Sequence, residues 1–137
     1  MKYEPENSDE NNIAVIEEHV YDWLQKLEII NFELVLYKSY LQDHNCLKSV
    51  DKKSKINSIL SCINEQIEQN KFHLRTCLFY KNRVSKIREC DDIECETTYL
   101  EAHSLFKNRL QYHFKQIKSL KHQIISKDLA FSALKIE

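Results

Sequence analysis

Cys90 and Cys95 flank the acidic pair Asp91 and Asp92, His103 follows further along, and His44 stands two residues before Cys46. Thiolate and imidazole are the ligands a structural zinc ion takes, and a zinc finger or ribbon supplies them as two short-spaced pairs. The second such pair is absent here, so no metal is expected and the thiols read as buried or incidental. The remaining histidines, His19, His73, His113 and His122, are spread along the chain with no carboxylate and nucleophile gathered beside them. Neither Gly-x-Ser-x-Gly nor His-Glu-x-x-His occurs. A loop that cradles phosphate needs glycine where the backbone meets the ligand, and the chain contains none. The expectation is a protein that is not an enzyme, with no catalytic residues, no cofactor, no metal and no small-molecule substrate. The histidines then sit at core edges and on solvated faces.

Charge is the stronger signal. No acidic residue falls between Glu101 and Asp128, a stretch that carries Lys107, Arg109, Lys115, Lys118, Lys121 and Lys127. An upstream stretch adds Lys71, Arg75, Lys81, Arg83, Lys86 and Arg88, partly offset by Glu65 and Glu68. Such faces dock an acidic partner or the chain's own acidic start, follow a phosphate backbone, or are simply solvated. The net charge of -1 argues against bulk attraction to nucleic acid or anionic membrane. Phe72, Phe79, Tyr80, Phe106, Tyr112 and Phe114 fall mostly at helical spacing, which suits a core or interface better than a base-stacking platform.

The elements that position these residues follow from what is missing. In 137 residues there is no glycine and one proline, Pro5, where average usage supplies roughly ten and roughly seven. Tight turns lose their usual residues and helices lose their usual interrupters. An all-α fold is predicted: a four-helix bundle-like domain with two long antiparallel helices. Residues 1–12 are expected as a flexible acidic tail in which Asp9 caps the next element, 13–127 as the helical domain, and 128–137 as a C-terminal tail or short helix. Ile13, Ile16, Val20, Trp23, Leu24 and Leu27 mark a helix over about 10–28. Asn31 offers an N-cap for a second over about 31–42. After a loop from Gln42 to Lys53, helical phase resumes over about 54–89, and Cys90 to Asp92 end it. Tyr99, His103, Phe106, Leu110, His113, Ile117, Leu120 and Ile124 alternate steps of three and four in a fourth helix. Two short helices do not cover two long ones, so uncovered apolar surface and self-association are expected.

With no apolar run near the roughly 18 residues of a membrane span, no membrane partner is expected. An acidic start unlike a signal peptide and an odd number of irregularly spaced cysteines suggest free thiols in a reducing compartment. The expected location is nuclear, with the cytoplasm as the alternative.

The segment from Glu68 to Arg88 resembles the central helix of GINS subunits, in which a glutamate, basic and aromatic residues lead into an Arg-x-x-Lys-Ile ending. Arg83, Lys86 and Ile87 carry that likeness. Trp23, on an earlier helix, makes the Sld-five subunit the nearest in pattern, and the likeness extends over about 12–122. Little chain follows, so nothing of that family's β-rich B domain carries over. The resemblance implies a non-catalytic structural subunit of the GINS tetramer, which joins the MCM helicase and Cdc-forty-five in DNA replication. Trp23, Arg83, Lys86, Ile87, Phe106, Leu110 and Ile117 would then serve core and intersubunit contacts. Lys107, Arg109, Lys115, Lys118 and Lys121 would form a basic surface with weak DNA contact. Three other readings are a helical adaptor or coiled-coil scaffold subunit of another intracellular complex, a viral helical-bundle regulator, and direct nucleic-acid binding by the fourth helix.

Overall fold

The computed structural model describes residues 5–45, 50–84, 86 and 93–126. Among these there are three α-helices and no strand: α1 (Pro5–Asn45), α2 (Val50–Val84) and α3 (Ile93–Ser126). The all-α expectation holds, but the count of four helices does not. The two short helices expected over 10–28 and 31–42 are one continuous helix of 41 residues.

The seam explains the fusion. Ile13, Val20, Leu27, Leu34 and Leu41 recur every seven residues and are all buried, as are Ile16, Trp23 and Ile30 three residues after the first three. That phase crosses Asn31 without a break, and neither glycine nor proline is present to end the helix. Ile30 stays on the seam while its neighbour Ile29 points outward. At the start, Pro5 occupies the first turn, where its missing N–H leaves no bond unmade, so residues 5–12 belong to α1 and Asp9 lies inside it. The loop expected from Gln42 to Lys53 shrinks as well, because α1 runs to Asn45 and α2 starts at Val50. The expected C-terminal tail and the Cys90 to Asp92 turn lie outside the described residues.

The same seven-residue period governs α2, where Ile56, Ile63, Asn70, Cys77 and Val84 are all buried. In α3 the buried residues are His103, Phe106, Leu110, His113, Ile117, Leu120 and Ile124, matching the seam read from the sequence. Cross-helix contacts fix the directions. Asn70 reaches the Leu27 carbonyl and Cys77 reaches the Val20 carbonyl, so α1 and α2 run antiparallel. His113 bonds Asn70 while Tyr80 lies against His103, so α3 runs antiparallel to α2. Alongside α1 it runs parallel: His19 meets His103, Trp23 meets Phe106, Lys26 lies over Phe114, and Glu33 pairs with Lys121.

At 1.5 Å per residue, α1 is about 60 Å long and α2 and α3 about 50 Å each. A single long α1 therefore covers what two short helices could not, and the buried residues of all three helices meet in shared clusters. Trp23, Phe106, Leu110 and Ile117, expected at an intersubunit surface, are buried here against the chain's own helices.

The core has two halves. One is aliphatic, with Ile30, Leu34, Leu41, Ile56, Ile63 and Ile124 among its members. The other, toward the α2 C-terminus, mixes Ile13, Val20, Leu24 and Val84 with Trp23 and Phe106. Phe114 packs against both. Glu94 and Glu96 in the first turn of α3, and Lys81 and Arg83 in the last turn of α2, complement the helix dipoles.

A proline scan separates one α1 from two helices. Phe32 is 67% exposed, so its replacement costs little packing. After a helix start capped by Asn31, proline at position 32 would be tolerated. In the continuous helix, Phe32→Pro is expected to cost about 3 kcal/mol or more, read by urea unfolding.

Candidate functional site

Two polar layers interrupt the apolar seam. In the first, between the two core halves, Asn70 is 0% and His113 1% exposed. The Asn70 amide Nδ2 donates to the Leu27 carbonyl at 2.8 Å, which turns its Oδ1 toward His113 Nε2, also at 2.8 Å. Because an amide oxygen only accepts, His113 must carry its proton on Nε2. Its Nδ1 is then an acceptor, and it is buried without a hydrogen-bond partner. His73 packs its ring 4.5 Å from that of His113.

The second layer is aromatic. His19 Nδ1 and His103 Nε2 lie 3.1 Å apart, so one ring donates its N–H to the other. His103 stacks with Trp23 and with Tyr80, and Trp23 meets Phe106 edge-on with ring planes 89° apart. His103 Nδ1 and the Tyr80 hydroxyl are buried without partners.

Electrostatics follow from this burial. Desolvation, then the charge of His19 and of Lys107, lowers His103 to about 4. Desolvation, then His73, lowers His113 to about 4. Burial also lowers His73, helped by Arg109. The Cys77 and Tyr80 protons are each held to about 12 by burial, which leaves Cys77 an inert thiol.

Beside the aromatic half of the core, α2 and α3 part to form an open groove of about 540 Å³. Its walls are helical faces: Thr76, Phe79 and Arg83 on α2, and Thr98, Ala102, Leu105 and Arg109 on α3. The small side chains Thr76, Thr98 and Ala102 leave the space unfilled. Phe79 and Leu105 stand 61% and 54% exposed on either side of it. Seven residues away, exposed Phe72 and Tyr112 continue the same two faces toward the middle of the bundle. The Arg83 guanidinium lies over the Phe79 ring, 5.4 Å from its centroid. No carboxylate and no histidine is among the described residues that line the groove.

The residues singled out from the sequence are scattered. Arg83 and Arg109 meet at the groove, and Lys86 is exposed. Ile87 lies outside the described residues. Lys118 and Lys121 border a shallower depression between α1 and α3, together with Lys26, Ile29 and Glu33. Half-buried Lys121 pairs there with Glu33 rather than adding to a free basic face. Lys115 is exposed and Lys107 half-buried. Leu78 on α2 is exposed.

Asn70 was missed, because one polar residue reads as a lapse in an apolar pattern. Its place seven residues after Ile63 and seven before Cys77 was the available signal. Cysteine usage needs one correction: Cys62 and Cys77 are free, but Cys95 is disulfide-bonded. An odd, irregular set of cysteines does not exclude a single bridge. Among the described residues no three His, Cys, Asp or Glu side chains gather to hold a metal ion. No helix among them is long and apolar enough to cross a membrane. No family model, curated protein or solved structure matches this chain.

The polar layers make two checkable statements. Unfolded, His103 and His113 titrate near 6.5, so between about 4 and 6.5 the unfolded chain binds more protons than the folded one. Stability is therefore full above pH 6.5 and falls as pH drops through that window. The expected slope reaches about 1.4 kcal/mol per pH unit for each histidine, read from urea midpoints. Asn70→Leu alone strands the His113 N–H and is expected to cost about 1–3 kcal/mol. Adding His113→Leu removes the orphan, and the double variant is expected to recover that loss while showing a shallower pH slope.

Proposed function

We propose that this chain is a non-catalytic helical adaptor, a scaffold subunit that works by presenting a docking face to another intracellular protein. One observation carries the reading. The groove between α2 and α3 holds large exposed apolar side chains on both walls. Exposed hydrophobic residues arranged together around a concavity, rather than scattered singly, mark interaction surfaces.

The chemistry of the lining agrees. Acid–base or nucleophilic catalysis needs a titratable group within reach of a substrate. His103 and His113 are instead shut into the core, committed to His19 and Asn70. The Thr98 hydroxyl at the groove donates to the Glu94 carbonyl at 2.9 Å. The groove is lined by hydrocarbon, aromatic rings, the Thr76 and Thr98 hydroxyls, the disulfide-bonded Cys95 and two guanidinium groups.

The narrower reading, a subunit of the GINS tetramer that works with the MCM helicase and Cdc-forty-five in the nucleus, rests on the likeness at Arg83, Lys86 and Ile87. Of these, Arg83 lines the groove.

Affinity purification of the tagged chain beside its Phe79→Ser/Leu105→Ser variant tests the adaptor reading. Both positions are exposed, so the variant is expected to keep its helical circular dichroism while losing a partner that the parent holds in fixed ratio. If parent and variant recover the same proteins in the same amounts, the docking face is not this groove. Co-expression with GINS partners tests the narrower reading, which stands only if a four-subunit species elutes together.

A further inference from the structure

We propose that the groove between α2 and α3 receives an amphipathic helix whose apolar anchors are flanked by Asp and Glu. This deepens the adaptor reading and rests on it.

Geometry selects a helix. Phe72 and Phe79 on α2, and Leu105 and Tyr112 on α3, are each seven residues apart and exposed. Each pair is separated by about 10 Å along the helix axis, the repeat at which an incoming helix places successive knobs of one heptad position. Helix-in-groove docking uses anchors at this spacing. Rings about 10 Å apart are too distant to stack successive bases of a single strand.

Charge selects an acidic one. The α2 wall carries no carboxylate from Gln69 to Val84, where Arg75, Lys81 and Arg83 lie. The α3 wall carries none from Ala102 to Ser126, where Lys107, Arg109 and Lys115 lie. Since the two helices are antiparallel, these acid-free stretches face each other along most of the groove, with Arg83 on one wall and Arg109 on the other, while Glu96 and Glu101 flank the wall residues Thr98 and Ala102 at its far end. Anchors buried next to guanidinium groups favour partners with acidic flanks and disfavour basic ones. The same positive charge opposes a two-fold contact between the grooves of two copies, which would bring like charges together.

The test uses the full chain and a labelled helical peptide with leucine at heptad spacing and glutamate on both flanks. A matched peptide carries lysine for glutamate, and another carries serine for leucine. Fluorescence anisotropy at low salt is expected to show the glutamate peptide binding at least about tenfold tighter than either. Raising the salt is expected to weaken that binding. Phe79→Ser/Leu105→Ser is expected to weaken it about tenfold or more, whereas Arg83→Glu/Arg109→Glu, both at exposed positions, is expected to reverse the preference toward the lysine peptide. The reversal shows that the swapped protein is folded.

Equal binding of the glutamate and lysine peptides, or full binding by the Phe79/Leu105 variant, overturns the proposal. So does a dimer in light scattering that the same variant abolishes, which assigns the groove to a second copy. Tighter binding of a single-stranded oligonucleotide than of the glutamate peptide, lost in the same variant, assigns it to nucleic acid. If the variant loses a natural partner while the glutamate peptide fails to bind, the adaptor reading stands and the acidic-helix assignment falls.

Discussion

The hydrogen bonds of Asn70 tie three helices together at one point. Its amide spans from the α1 backbone to an α3 imidazole, with Nδ2 and Oδ1 each bonded and the side chain fully buried. Apolar contacts alone would hold these helices at several registers, because one heptad of leucine and isoleucine packs on the next about equally well. A buried amide that must meet a carbonyl on one side and an N–H on the other is satisfied in a single alignment. Sliding α2 by seven residues would place Ile63 or Cys77 opposite Leu27 and strand Asn70 in hydrocarbon, at a cost of a few kcal/mol. Thus the layer adds modestly to stability while excluding the neighbouring alignments, the best-attested use of a buried polar group in such bundles.

The position of that layer also explains why the two core halves differ. On its aliphatic side, isoleucine and leucine fill the seam. On the other side, rings take over: Trp23, Phe106, Tyr80 and the His19–His103 pair. Rings are larger and set their neighbours at fixed angles, and it is on this side that α2 and α3 leave an open cleft. The groove is adjacent to the half of the core where ring packing is densest, in which the Tyr80 hydroxyl and His103 Nδ1 lack partners.

Much of this was readable from residue types. The absence of glycine left helix as the economical structure, and α3 displayed its buried face in full from Tyr99 to Ile124. The break in α1 was misread for a definite reason. Two adjacent isoleucines followed by a good capping residue look like the end of one periodic run and the start of another. Only the partner helices decide that Ile30 continues inward and Ile29 does not. One long helix then covers the buried faces of α2 and α3 over a length that two short helices would not span. The groove was illegible for a different reason. Phe72, Phe79, Leu105 and Tyr112 have the same residue types as the core, and helical spacing alone does not say which apolar stripe is covered. The small residues Thr76, Thr98 and Ala102 that hold the cleft open carry no signal of their own.

A seam that keeps one repeat through all three helices also constrains how such a gene can change in length. Adding or deleting a single codon within α1 would rotate everything beyond it by about 100° and turn the buried stripe toward water. Restoring the rotation takes a whole heptad, and even that shifts Leu27 away from the amide it meets. Changes in length that preserve this architecture are therefore confined to the connections and the chain ends, or occur as matched seven-residue steps in all three helices on the same side of the asparagine.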